Sequence, residues 1–288
     1  MSRLPTEAPA RASTMLRAEP HSMSSGDVWT RWRPGFLRRF HRPHVLFVQS
    51  DGVWFWDARQ DDERYAGRER RAGRRPQRHD TLAAWCETHR GSDVRLILSS
   101  RLTHQVVVRD RNLPLFEPAD LERYARHQLV HYHGSAAADW PLAVWLAGAQ
   151  RGASALHGID MAACRSDAQR CGVRLRNVEP AWAVALRFAR RETPALAHAM
   201  RAAVALVEGE QLCWLVLERG ALVSLRQRML AAPDLAALEA LIDELRQEDE
   251  DVGAVYVIGH GIDADDVRGA TLLGPLRAGP PSPDWWAA

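Results

Sequence analysis

The run Val94-Arg95-Leu96-Ile97-Leu98-Ser99-Ser100, then Gln105-Val106-Val107-Val108, then Leu113-Pro114-Leu115 and a segment opening at Glu117-Pro118, decides how this chain is read. Its apolar residues fall in two short blocks with a polar interval between them, the pattern of two strands. Pro118 suits the first turn of a helix, where its missing N–H costs nothing, and the helix is expected to run to about Tyr132.

The same reading extends in both directions. Upstream, Val45-Leu46-Phe47-Val48 and Val53-Trp54-Phe55-Trp56 flank Asp51-Gly52, a hairpin signal, and Asp80 is expected to cap a helix reaching Thr88. Downstream, residues 142–146 read as a strand, 154–170 as a helix, 173–178 as a strand, and Pro180 opens a further helix. After about residue 200 the scheme recurs. Three strands at 203–207, 212–217 and 222–225 form a meander, and a helix follows Pro233. Val255-Tyr256-Val257-Ile258 then leads into Gly259-His260-Gly261, with a short strand at 271–273. Strands joined by hairpins, followed by strands joined by helices, predict an α/β protein with mixed sheets covered by helices.

Composition narrows the chemistry. The 288 residues carry 38 basic and 36 acidic side chains, a net charge of +2, too near neutrality for a broad nucleic-acid-binding face. All 38 basic residues are arginine. Without lysine there is no P-loop lysine, no Schiff base and no kinase-type strand lysine. Cys86, Cys164, Cys171 and Cys213 form no C-x-x-C pair, and the expectation is a reduced, cytoplasmic protein without a signal peptide or a membrane span.

No set of side chains reads as catalytic. His127, His131 and His133 are spaced H-x-x-x-H-x-H, but no glutamate adjoins them and the third falls on another helix face, so no metal is expected. Ser99, Ser100 and Ser224 lie outside any G-x-S-x-G context. Residues 1–43 are rich in Arg, Pro and Ser and read as largely disordered. Within them Trp29, Trp32, Phe36 and Phe40 interleave with Arg33, Arg38 and Arg39, a mixture suited to a membrane surface or a partner groove. A second basic cluster, 68–78, includes Arg70, Arg71, Arg74 and Arg75; such a run usually reads as a solvated loop, a phosphate or acidic-partner surface is the sharper reading, and a nucleic-acid-binding loop is the alternative.

The run from Val94 to the helix after Glu117, with its Leu113-Pro114 step and its helix sequence Leu121-Glu122-Arg123-Tyr124-Ala125-Arg126, resembles a stretch shared by two related families. These are the PilM proteins of type IV pili and the GspL-type cytoplasmic domain of type II secretion. The order of the later segments is similar too: 140–146 looks like the next central strand, and 203–225 followed by Arg226-Gln227-Arg228 looks like a second-subdomain meander. Val257-Ile258-Gly259-His260-Gly261 looks like the glycine turn that meets adenosine in ATP-binding members.

The resemblance covers about residues 44–275. It implies an actin-like (ribonuclease H-like) fold of two subdomains, 44–180 and 181–275, with a Pro/Trp-rich tail at 276–288. It also implies a scaffold at the inner membrane that links a membrane partner to an assembly ATPase, with possible contact to anionic lipid and self-association. The sequence departs from nucleotide-binding members at each loop. The first phosphate loop corresponds to Ser50, Asp51 and Gly52, followed by bulky Val53 and Trp54. The second corresponds to Glu208 and Gly209 with Glu210, and the adenosine turn keeps Gly259 and Gly261 only. Two glutamates are poor partners for a polyphosphate. A degenerate nucleotide site without a cofactor is expected, with Mg-ATP binding as the alternative.

Overall fold

Two five-stranded sheets repeat one strand order, and the chain passes between them once as a helix. The computed structural model describes residues 43–56, 76–108, 113, 117–147, 150–281 and 283–286. The Trp29–Phe40 segment and Arg70, Arg71, Arg74 and Arg75 lie outside the described residues.

β1 (His44–Gln49), β2 (Gly52–Trp56) and β3 (Gln77–His79) form an antiparallel meander; helix α1 (Leu82–Thr88) then returns the chain so that β4 (Asp93–Leu98) pairs parallel to β1. The chain next leaves this sheet. β5 (Thr103–Val107), helix α2 (Pro118–His133), β6 (Leu142–Ala147) and β7 (Gln150–Leu156) build an insert whose strands form a separate antiparallel sheet in the order β5-β7-β6. Helix α3 (Met161–Arg170) brings the chain back, and β8 (Arg174–Pro180) pairs parallel to β4, completing the order β3-β2-β1-β4-β8.

Helix α4 (Ala181–Glu192) crosses to the second half. There β9 (Arg201–Glu208), β10 (Gln211–Glu218) and β11 (Ala221–Met229) form the second meander, and helix α5 (Leu235–Glu248) precedes β12 (Ala254–His260). β12 lies parallel to β9, with the short β13 (Thr271–Leu272) parallel to β12, giving β11-β10-β9-β12-β13. Both sheets thus have the same order and the same strand senses. A short helix, α6 (Pro283–Trp286), follows.

The apolar runs that fix this architecture are buried on both faces. On β9, Ala202, Val204 and Leu206 enter the core shared with the first half, while Ala203, Ala205 and Val207 enter a core with α5. On β1, Val45 and Phe47 face the shared core, and Leu46 and Val48 face the other side of the first sheet. Side-chain alternation of period two therefore places the shared core between the two sheets, with α4 inside it. Trp285 and Trp286 of α6 also enter this core, with ring centroids 5.6 and 5.7 Å from Phe47. The Arg95 guanidinium donates to the Trp286 carbonyl at 3.1 Å.

Three sequence expectations are corrected. Residues 140–146 do not form a central strand; β6 belongs to the insert sheet. The helix expected over 154–170 begins only at Met161, because residues 150–156 pair as β7 between β5 and β6. The tertiary pairing overrides the helix preference of Ala153 and Ala155, and Asp160 caps the shortened helix by accepting from the Ala162 and Ala163 amides at 2.8 and 3.0 Å. Thr81, not Asp80, caps α1, accepting from the Ala84 amide at 3.1 Å. Among the described residues no helix is long and apolar enough to cross a membrane.

Candidate functional site

The two sheets meet where the β9–β10 hairpin and the end of β12 face the segment that follows β4. That segment, Ser99–Thr103, contains a 3₁₀ turn over Ser100–Leu102, and its Ser100 amide donates to Glu208 Oε2 at 2.7 Å. A carboxylate from one half therefore caps a helical turn in the other. Around it, the Cys213 thiol donates to Ser100 Oγ at 3.2 Å, and Gln227 Nε2 donates to the carbonyls of Ser100 and Thr103 at 3.1 and 2.9 Å. Gln227 Oε1 accepts from the Gln105 amide at 3.2 Å, so this one carboxamide pairs with the edge of β5 as the peptide group of a neighbouring strand would. Arg101 reaches Glu210 at 3.5 Å on the more exposed rim.

Glu208 is 1% exposed, and its Oε1 has no hydrogen-bond partner. Burial pushes its carboxyl up to about 7, against the hydrogen bonds from Ser100 and Ser99 and the Arg101 charge. Burial likewise pushes the Cys213 thiol up to about 12, which leaves it an inert neutral donor.

A second polar chain crosses the same boundary. Trp54 Nε1 donates to Gln49 Oε1 at 2.7 Å, and Gln49 Nε2 lies 2.8 Å from His260 Nε2. An indole N–H can only donate, so Gln49 must present its oxygen to Trp54 and its amide protons to His260. His260 Nε2 is then an acceptor, and the ring is neutral with its proton on Nδ1. Burial, reinforced by the Arg101 charge, lowers His260 to about 4, in keeping with that neutral form.

The glycine turn beside it packs on the hairpin. Gly259 has φ 141°, and a Cβ there would run into the Val207 carbonyl. Gly261 has φ 91°, and a Cβ there would lie 2.5 Å from the Gly209 Cα. The Gly209 amide donates to the His260 carbonyl at 2.9 Å. Space that only glycine leaves open is thus taken by the protein's own backbone.

The structure places the expected residues as follows. Glu208, Gly209, Gly259 and Gly261 come together at the junction of the halves. Ser50 and Asp51 are exposed at the β1–β2 turn, where the Arg78 guanidinium donates to the Asp51 carbonyl, and Gly52 is buried beneath β3. The family resemblance implies a nucleotide between such turns. The residues present do not fit a polyphosphate: a buried carboxylate stands where phosphate donors are needed, and the glycine turn is filled by Val207 and Gly209. The roles of Ser100, Gln227, Gln49 and Trp54 are not readable from the sequence; the one available signal is Gln49, a glutamine closing the apolar run Val45–Val48 ahead of the turn.

The histidine run does not converge. His133 stacks beside His104, with centroids 4.1 Å apart, and His104 stacks on His157 at 4.3 Å and on Trp140 at 5.2 Å. His131 instead meets Tyr132 edge to face. Among the described residues no group of His, Cys, Asp or Glu is arranged to hold a metal ion. Beside this stack, the seam between β5 and β11 opens into a groove of about 570 Å³ lined by residues including Tyr124, Gln128, Tyr132 and Arg228.

No family model and no curated protein matches the chain. Solved structures do. One is the cytoplasmic domain of EpsL, an inner-membrane component of the type II secretion system of Vibrio cholerae, with 13% identity over 81% of this chain and 86% of that one and a TM-score of 0.46. Another is a protein of Bacteroides thetaiotaomicron with an actin-like ATPase fold, with 11% identity, 80% and 90% covered and a TM-score of 0.50. A third is from the PilM-PilN type IV pilus biogenesis complex, with 14% identity, 75% and 81% covered and a TM-score of 0.45. The fold is actin-like.

Proposed function

We propose that this chain is a non-catalytic scaffold subunit of a bacterial type IV pilus or type II secretion-like inner-membrane platform, linking a membrane partner to the assembly ATPase. Support for the platform comes from the sequence resemblance that runs through residues 94–126 and the second meander. The observation that carries the non-catalytic part is the Ser100–Glu208 hydrogen bond, in which the Glu208 side chain takes the Ser100 amide and occupies the place where a phosphate loop would need donors. In this reading the hydrogen-bonded junction of the halves holds surfaces in a fixed relation, and the surfaces do the work.

Thermal denaturation with and without Mg-ATP tests the reading. A bound nucleotide at 100 times its dissociation constant would stabilise the fold by ~2.7 kcal/mol. The scaffold reading expects no shift at millimolar nucleotide, and a saturable shift would replace it with the ATP-binding alternative. The docking role assigned to Trp29, Trp32, Arg33, Phe36, Arg38, Arg39 and Phe40, and to the 68–78 cluster, is tested by co-sedimentation with anionic vesicles. Equal binding by the full chain and by a form lacking residues 1–43 would remove the first segment from that role.

A further inference from the structure

Three sheets have six edge strands among the described residues, and five of the six are guarded against pairing with another chain. β3 has only three residues, one of them Arg78, and β13 has two. β8 carries Arg174, Arg176 and Glu179 and ends in Pro180. β11 bears Arg226 and Arg228, and β5 is bridged to it by the Gln227 carboxamide. Short length, charge, proline and coverage are the usual means of blunting an edge.

β6 has none of these. It is six residues long, Leu-Ala-Val-Trp-Leu-Ala, with no charge and no proline. It pairs with β7 on one side only. The Leu156 amide donates to the Pro141 carbonyl, which fixes the alternation along the register: residues 143, 145 and 147 bond to β7, and Leu142, Val144 and Leu146 turn their N–H and C=O groups to the free edge. Leu146 is 80% exposed, and among the described residues no strand pairs with this edge.

We infer that β6 is a self-association edge, at which a second copy of this chain pairs antiparallel through its own β6. The strand is complementary to itself. With a two-fold axis at Val144, Val144 faces Val144 of the other copy, and Leu142 and Leu146 face each other. Each outward residue exchanges both bonds with its counterpart. Every cross-strand pair is apolar and no like charges meet. An acidic or basic partner segment would find no charge on β6 to recognise. The result is one continuous antiparallel sheet, β5-β7-β6 joined to its two-fold copy. A six-residue edge alone falls short of the roughly 1,200 Å² of a standard stable interface, so the dimer exchanges with monomer.

Sedimentation of the full chain across a concentration series tests this, and does so independently of the pilus or secretion reading. The expected result is a reversible monomer–dimer equilibrium that L146K shifts to monomer with an unchanged thermal melt, since Leu146 is exposed. V144C under oxidising conditions is expected to give a disulfide joining position 144 of two copies, mapped by mass spectrometry; hydrogen-bonded antiparallel pairs hold their Cα atoms about 5.5 Å apart, within disulfide reach. Should V144C fold poorly, hydrogen exchange of the unaltered chain serves, with Val144 and Leu146 amides protected in concentrated solution and exchanging in dilute solution. A monomer at every concentration, or a dimer that L146K leaves intact, would overturn the inference.

Discussion

The Ser100 amide and the Glu208 carboxylate meet at 2.7 Å across the junction of the two halves, one from a 3₁₀ turn after β4 and the other from the end of β9. Glu208 is buried and raised to about 7, so its protonated form is favoured by the fold. The sign follows from linkage: the contribution is complete below about pH 4.5, declines as the folded chain holds a proton that the unfolded chain has lost, and is gone above about 7. Glu208→Gln keeps an acceptor for Ser100 without the charge. The expected outcome is a stability unchanged near pH 5 and greater than that of the unaltered chain near pH 8, read by urea unfolding at both. Glu208→Ala leaves the Ser100 amide unpaired and is expected to cost about 1–3 kcal/mol. Parallel pH profiles for the Gln variant and the unaltered chain would reject the account.

His260 works in the opposite direction. Its folded value lies near 4, below the ordinary 6.5, so its contribution is present above about pH 6.5 and is lost as pH falls toward about 4. His104, also lowered to about 4, by burial and by His157 and His133, adds to the same limb. With Glu208→Gln the opposing limb is gone, and stability is expected to rise with pH throughout this window. Nuclear magnetic resonance titration of the imidazole protons gives the direct check: His260 and His104 should remain neutral well below the ordinary imidazole value of about 6.5.

Gly259→Ala is expected to be severely destabilising, by about 3 kcal/mol or more, because the added Cβ meets the Val207 backbone in a conformation that L-residues avoid. Gly91→Ala is the control: its φ of 74° is equally left-handed but nothing lies within 4 Å, so about 1 kcal/mol is expected. Equal losses in chemical denaturation would mean that backbone angle, and not the packing of turn on hairpin, sets the requirement.

Gln227→Glu separates shape from hydrogen bonding. The carboxylate still accepts from the Gln105 amide but faces the carbonyls of Ser100 and Thr103, to which the amide had donated. It is expected to cost more than Gln227→Leu, which loses the bonds without adding a charge. Faster exchange of the Gln105 amide in Gln227→Leu, measured by mass spectrometry, would locate that variant's loss at the β5–β11 seam.

Strands β1, β4, β9, β10 and β12 were readable because their apolar residues enter cores on both faces, a pattern that position-by-position reading detects directly. The insert was harder to read. Gly152-Ala153-Ser154-Ala155 has the small, helix-tolerant composition that pointed to a helix, and its strand state comes from neighbours on both sides: a Cβ at Gly152 would strike the Trp145 ring and the Val106 carbonyl. Such a constraint exists only once β5 and β6 are in place. The junction shows the same division. The positions of Glu208, Gly259 and Gly261 followed from order along the chain, but their partners Ser100 and Gln227 belong to no motif and acquire meaning when the halves meet.

The packing of Trp285 and Trp286 on Phe47 has a consequence for how the chain must be made. Phe47 belongs to the first strand, and its aromatic neighbours emerge from the ribosome more than two hundred residues later. Until then the first sheet can pair its strands but presents an open apolar wall where α6 will seat. Synthesis therefore passes through a long interval in which the first half is formed and unsealed, exposed to the chaperones that bind apolar surface. The seating of α6 ends that interval.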